Sequence, residues 1–554
     1  MAQQTDSVAV ASGPVPDLLD ASVARYPARP ALNFLGRSWT YAQTGAAVDK
    51  AAAGLQALGV GPGVKVGLCL PNTPYSVIFF FAVLKAGGTV VNFSPLYVER
   101  ELSHQIKDSG TSIMVVPDLK LIHDRVANIA AENSVKHIVV CPLAGVLPLV
   151  KGVLFTLFKR QEQARWPAGD GLHVTYAELL RHGCNPKRHP LDPQRDVAVL
   201  QYTGGTTGVP KGAMLTHANV TANARQVLVH AECERIGITS VVGVLPLFHV
   251  FAMQTVMLIP LFLGAVIHLV PRFELAGLLD LIEREKPAML PGVPTIYAAI
   301  NGVPDIERRD LSSLKLCISG GAPLPKEVRE RFVELTGCKL AEGYGLSETS
   351  PVATAGQPLK AVKDGSVGTA LPGTVIEIHD LADPRRIMPA GKKGEVCIRG
   401  PQVMAGYYNR PRESADSFVD GALRTGDVGY LDEDGYLFLV DRIKDVILAG
   451  GFNVYPRVIE EALYRHPAVS EAVAIAIPDP YRGEAPKAFV TLREGASVTP
   501  EELLRFLGAE LSKVELPKVV EIRESLPKTM VGKLSKKELV EEERSRAEEA
   551  RGAA

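Results

Sequence analysis

Val197-Ala198-Val199-Leu200-Gln201-Tyr202 runs without interruption into Thr203-Gly204-Gly205-Thr206-Thr207-Gly208-Val209-Pro210-Lys211-Gly212. The first six residues, apolar except for Gln201, predict a strand buried on both faces. The next ten hold four Gly, three Thr and one Lys. Glycines let backbone N–H groups close on an anion, threonine hydroxyls add donors, and Lys211 adds a point charge. The loop therefore suits a polyphosphate. It is not a Walker A loop, because Pro210 precedes the lysine, no Ser or Thr follows it, and 213–216 reads as strand rather than helix.

Outward from this loop the chain alternates strands and helices. Strands are predicted at 64–70, 112–116, 265–270 and 314–319, a helix at 76–85, and a Gly-led return to strand at 87–91. This is the rhythm of an α/β protein. Late in the chain the texture changes. Tyr430-Leu431-Asp432-Glu433-Asp434-Gly435-Tyr436-Leu437 reads as a hairpin with an Asp-Gly turn, followed by the charged connection Asp441-Arg442-Ile443-Lys444-Asp445. Behind it a helix is predicted at 456–466, strands at 473–477, 488–492 and 519–523, and a helix opened by Thr499-Pro500-Glu501-Glu502. The expected architecture is a large α/β domain over 1–441 and a smaller, mobile α+β domain over 442–554. The large domain should hold parallel and mixed sheets with helices, plus a small β-barrel-like part.

With 554 residues, two or more domains are expected. A formal net charge of -1, without a basic stripe, argues against a nucleic-acid partner. Seven widely spaced Cys without a C-x-x-C pair indicate reduced thiols in a cytoplasmic protein and exclude a zinc or disulfide framework. Residues 1–20 lack the basic and apolar regions of a secretory signal. The stretch from Arg235 to Arg272 contains no charged residue between its ends, but Pro246, Pro260, His249 and His268 interrupt it. It reads as buried core rather than a membrane span.

Further motifs follow in order. They are Ser319-Gly320-Gly321-Ala322-Pro323-Leu324, Glu342-Gly343-Tyr344-Gly345-Leu346-Ser347-Glu348-Thr349, Arg424-Thr425-Gly426-Asp427-Val428-Gly429 and Pro527-Lys528-Thr529-Met530-Val531-Gly532-Lys533-Leu534. Together with the phosphate loop they resemble the AMP-forming acyl-CoA synthetase family over most of the chain, and bacterial long-chain fatty acid–CoA ligases in particular. The resemblance implies ATP, Mg²⁺ and the co-substrate CoA. It gives Thr203, Gly204, Gly205, Thr206, Thr207, Gly208 and Lys211 to the phosphates, and Thr203 and Glu348 to Mg²⁺. Gly321, Ala322, Gly343, Tyr344 and Gly345 fall around the adenine, Asp427 and Arg442 at the ribose, and Lys444 beside them. Lys533 becomes the catalytic cation of adenylation. Asp441 becomes a hinge about which the small domain turns, withdrawing Lys533 and presenting the loop with Gly450 and Gly451 to the pantetheine thiol.

Leu245-Pro246-Leu247-Phe248-His249-Val250-Phe251-Ala252-Met253 resembles the family's acyl-pocket motif, with His249 beside the substrate carboxylate as a gate or an aid to anion binding. The apolar 254–270 behind it suits a fatty acid, while medium-chain and aryl acids remain alternatives. An inactive acyl-adenylate-binding protein is a remote one, which the intact Lys533 and Glu348 argue against. Residues 147–160 interleave apolar side chains with Lys151, Lys159 and Arg160. They predict either an interfacial helix or a buried helix with a snorkelling end. The segment resembles the corresponding one of bacterial long-chain fatty acid–CoA ligases, and that resemblance implies peripheral contact with the inner membrane. Homodimerisation is a family-level expectation. One departure is Glu515, where relatives often carry a Lys.

Overall fold

The computed structural model describes residues 13–203, 210–449, 452–479, 481–529 and 532–552, with side chains to 546. Its largest sheet has fourteen strands. Five of them, Pro30–Phe34, Val266–Leu269, Ser240–Gly243, Met289–Gly292 and Leu316–Gly320, pair in parallel, and Lys339–Gly345 extends the parallel run. From Lys339–Gly345 onward the sheet turns antiparallel through Val352–Ala355, Ser366–Ala370, Tyr436–Arg442, Ala422–Leu431, Gly394–Arg399 and Val375–His379. The sequence leads one to expect a barrel-like part, but these antiparallel strands are an open continuation of the parallel part that ends at the edge strand Val375–His379. Lys339–Gly345 is thus the strand at which the pairing changes, and its C-terminal end carries Tyr344.

A second sheet of seven strands places Val197–Thr203 beside Thr89–Asn92 in parallel and Lys211–Thr216 antiparallel at its edge. The helix Pro74–Lys85 is buried along nearly its whole length, because its sequence YSVIFFFAVL has no polar face to offer water. The uncharged stretch after Arg235 is core, as expected. It forms Ser240–Gly243, a helical run that includes the π-turn Met253–Leu258, and Val266–Leu269. Among the described residues no helix is long and apolar enough to cross a membrane.

The last strand of the large sheet ends at Arg442 and the first of a small five-stranded sheet begins at Ile447. The small sheet packs its own core, with Ile447, Ile459, Leu463, Val490, Leu503 and Val520. Its helix Pro500–Glu510 starts as the sequence predicts, with Thr499 Oγ1 accepting from Glu502 N–H at 3.2 Å.

The helix Leu149–Phe158 lies on the surface, with Gly152 its only buried residue. Leu149 is 87% and Phe158 78% exposed, and Val150, Val153, Leu154 and Leu157 are exposed with them. This removes the buried-helix alternative.

Candidate active site

The parallel strands Met289–Gly292 and Leu316–Gly320 end in glycine. Open α/β sheets bind ligands beyond such carboxyl ends. Gly320 pairs with Gly343 on the neighbouring strand, so two bare backbones lie side by side at the cleft. Gly321 follows with φ +83°, a left-handed conformation that favours glycine. Ala322 continues the turn, and Leu324 N–H donates to Glu342 Oε1 at 3.2 Å, pinning it. Burial pushes the Glu342 carboxyl up to about 7. Gly345 is forced by packing, because any Cβ there would collide with the carbonyl of Pro351.

Lys533 comes from the far end of the chain to this turn. A Cβ at Gly321 would fall within 2.6 Å of Lys533 Nζ. Thr295 Oγ1 donates to the carbonyl of the adjacent Gly532 at 3.1 Å, and Lys533 N–H donates to Thr529 Oγ1 at 3.1 Å. Desolvation, with help from the positive charge of Arg442, pulls the Lys533 ammonium down to about 8. The charge of Lys533 also reaches His249, although burial is the larger influence that lowers the imidazole to about 3. His249 Nδ1 accepts from Phe251 N–H at 3.2 Å, so the ring is neutral and its proton is on Nε2. It can donate to a carboxylate, but it brings no charge to one.

A second group surrounds Asp427. Tyr344 Oη donates to Asp427 Oδ2 at 2.7 Å, and Arg442 Nε lies 2.9 Å from Oδ1. Burial raises the Asp427 carboxyl, while Arg442 opposes the rise. Asp427 in turn raises Arg442. Lys444, in the turn Ile443–Asp445, is exposed to solvent, and its ammonium is lowered by desolvation.

The third group links the phosphate loop to Glu348. Thr203 pairs with Lys211 across the hairpin. The outer edge of Lys211–Thr216 bonds to 405–408 through Met214 N–H to Gly406 O at 2.9 Å and Tyr408 N–H to Gly212 O at 2.8 Å. Tyr407 is thereby held between the two motifs. Its hydroxyl donates to Glu348 Oε1 at 2.7 Å, and Lys211 Nζ lies 5.2 Å from its ring centroid. Residues 204–208 of the loop, and Gly450 and Gly451, lie outside the described residues.

The structure therefore brings together Lys533 with Gly321 and His249, Tyr344 with Asp427 and Arg442, and Lys211 with Glu348. Sequence reasoning missed Tyr407 and Thr295, and gave Glu342 no role. A Tyr in Gly406-Tyr407-Tyr408 carries no pattern of its own, and only the strand pairing shows which way it serves.

The AMP-binding enzyme family profile matches residues 19–408, and the AMP-binding enzyme C-terminal domain matches 458–533. The chain is 41% identical over 532 residues to a long-chain-fatty-acid--CoA ligase of Bacillus subtilis (strain 168), covering 95% of this chain and 94% of that one. It is 34% identical over 517 residues to a feruloyl-CoA synthase of Amycolatopsis, covering 93% and 96%. The crystal structure of an anthranilate CoA ligase in complex with anthranoyl-AMP superposes with a TM-score of 0.85 at 25% identity, covering 97% and 98%.

Proposed function

The chain belongs to the AMP-binding enzyme family, and from that premise we propose that it is a long-chain fatty acid–CoA ligase. In the first step a fatty carboxylate oxygen attacks the α-phosphorus of ATP. An O–P bond forms, the bond to the β-phosphate oxygen breaks, and pyrophosphate leaves. In the second step the thiol of CoA gives up its proton to solvent, its sulfur bonds to the acyl carbonyl carbon, the bond from that carbon to the phosphate oxygen breaks, and AMP leaves.

The observation that carries this reading is the seat of Lys533 on Gly321, within electrostatic reach of Arg442, which is paired with Asp427. Charge builds on the α-phosphate oxygens and the leaving oxygen in the first step, and a fixed ammonium there stabilises the transition state. Asp427 suits the ribose diol, because a carboxylate accepts from two hydroxyls and only one bond from Tyr344 and one from Arg442 are already made. The bare backbone of Gly343, next to Tyr344, suits the approach of a flat purine, whereas the space at Gly320 is taken by the Phe251 ring and that at Gly321 by Lys533. Neutral His249 offers Nε2–H to the fatty carboxylate without holding it as a salt bridge.

Mg²⁺ fits the donors present. Among the described residues no cluster of three or more His, Cys, Asp or Glu could cage a metal alone. A Mg²⁺ that arrives on a triphosphate needs one carboxylate and keeps its other ligands as phosphate oxygens and water. Glu348 would supply that carboxylate and Thr203 a hydroxyl, and the ion would neutralise charge on the phosphates.

An acyl chain suits the apolar surface beside His249, where Leu68, Leu70, Phe80, Leu247, Phe248 and Met257 meet Ser76 and Asn92 around a void of only about 10 Å³, so these side chains would have to part to admit it. Gln201 Nε2 donates to Phe248 O at 3.1 Å and Asn72 Oδ1 accepts from Leu247 N–H at 2.8 Å, holding the backbone of this segment. Each methylene buried there contributes at most about 0.8 kcal/mol. The exposed apolar helix Leu149–Phe158 favours peripheral contact with a membrane, from which such an acid would be drawn. Residues 1–441 and 442–554 act as two bodies that pivot at Asp441 between the steps, and a homodimer is a further expectation that sedimentation tests.

An aryl-acid ligase is the second reading, favoured by the feruloyl-CoA synthase relative. AMP release measured with octanoate, palmitate, oleate and coumarate separates the two. Release that rises with chain length supports the long-chain reading, and coumarate as the best acid overturns it.

A further inference from the structure

The chain leaves the large sheet after Arg442, and one side chain beyond that point reaches back to the strand it has left. Arg457 is in the first turn of the helix Pro456–Tyr464, which packs on the small sheet. Its backbone N–H donates to Asp441 Oδ2 at 2.8 Å. Its Nη1 donates to the carbonyl of Leu439, in the last strand of the large sheet, at 3.0 Å. Its Nε donates to Glu461 Oε1 at 2.8 Å, one turn along the same helix, which aims the guanidinium. The side chain is only 13% exposed.

Helix stability does not explain this arginine. A cation in the first turn faces the positive end of the helix dipole and is unfavourable there. What it gains is the carbonyl of Leu439, across the pivot. That carbonyl is two residues before Asp441, so rotation about the Asp441 backbone moves it relative to Arg457, and hydrogen bonds weaken steeply with misalignment. Further contacts of this orientation among the described residues include Lys533 on Gly321, Thr295 Oγ1 on Gly532 O, and the ammonium of Lys393 over the Tyr455 ring, 5.1 Å from its centroid. Arg457 also opposes, electrostatically, the burial-driven rise of Glu342, whose carboxylate pins the turn that follows Gly321.

We propose that Arg457 is a positioning residue for adenylation: its bonds to Leu439 and Asp441 hold the small sheet where Lys533 is seated on Gly321, and they open before the thiol step. The inference rests on the proposed roles of Lys533 and of the pivot at Asp441.

The test uses the full chain with Arg457→Met, which keeps an apolar stem, and Arg457→Lys, which keeps a donor. Two rates are read: single-turnover palmitoyl-AMP formation without CoA, and conversion of supplied palmitoyl-AMP by CoA. Losing one charge-assisted bond that favours one of two orientations should slow adenylation about tenfold in Arg457→Met. The thiol step should be unchanged or faster, and Arg457→Lys should recover part of the adenylation rate. An unchanged ratio of the two rates, whether both persist or both fall together, overturns the proposal. Lys533→Ala run alongside separates the layers. Adenylation surviving there overturns the underlying reading, whereas its loss with an unchanged ratio in Arg457→Met overturns only the role of Arg457.

Discussion

Lys533 lies on Gly321: the end of the lysine side chain occupies the space that a Cβ at that glycine would need. One residue closes the turn after a parallel strand and the other comes from the loop before the last helix. The contact therefore assembles a site from two parts of the chain that share no sheet.

Gly321→Ala should displace Lys533 and slow palmitoyl-AMP formation by about 10²-fold, the order expected when one preorganised charge is lost from a transition state. Conversion of supplied palmitoyl-AMP by CoA should survive. The positive φ of Gly321 adds a strain of roughly 1–2 kcal/mol for alanine, so a thermal melt should accompany the rates. Equal loss in both steps would attribute the effect to folding instead.

The depressed ammonium of Lys533 gives adenylation a basic limb. A lysine lowered to about 8 is charged below that pH and neutral above it. Thus kcat/KM for acyl-AMP formation should fall as pH rises through about 8, and the limb should vanish from the residual activity of Lys533→Ala. His249, lowered to about 3, stays neutral throughout and should add no acidic limb between pH 5 and 8.

Tyr407→Phe removes the hydroxyl that orients Glu348 and keeps the ring under Lys211. A hydrogen bond to a carboxylate contributes about 1.5–3 kcal/mol. The Mg²⁺ concentration for half-maximal adenylation should rise about tenfold or more, with the KM for palmitate unchanged. Weaker Mn²⁺ binding in the presence of ATP, read by electron paramagnetic resonance, checks the same claim without turnover. An unchanged metal requirement would leave Tyr407 as a packing residue.

Leu149→Glu with Phe158→Glu should abolish sedimentation with anionic lipid vesicles, since these two side chains are the most exposed of the apolar helix. Turnover of fatty acid presented in detergent micelles should remain. Sedimentation retained by the double variant would remove the helix from the account.

Much of this was legible from local pattern. The Thr499 cap and the Asp432–Gly435 turn each depend on neighbours within a few residues, and their residue types state the requirement directly; the glycines of the phosphate loop at 204–208 lie outside the described residues. The polar groups of Tyr344, Asp427 and Arg442 were legible as separate motifs, although the bond from Tyr344 to Asp427 joins residues 83 apart. Tyr407 was not legible, because its role comes from an edge pairing between 405–408 and Lys211–Thr216 that no periodicity encodes. Nor was the neutral state of His249, which follows from burial and from the N–H of Phe251. The large sheet's order was beyond local reading for the same reason: Pro30–Phe34 finds its parallel partner at Val266–Leu269.

The most direct test mixes the protein with ATP, Mg²⁺ and palmitate without CoA and counts palmitoyl-AMP by mass spectrometry after quenching. The account predicts about one adenylate per active site within a single turnover, and formation about 10²–10³-fold slower in Lys533→Ala. No palmitoyl-AMP from the wild-type chain, or the same rate from Lys533→Ala, would contradict it.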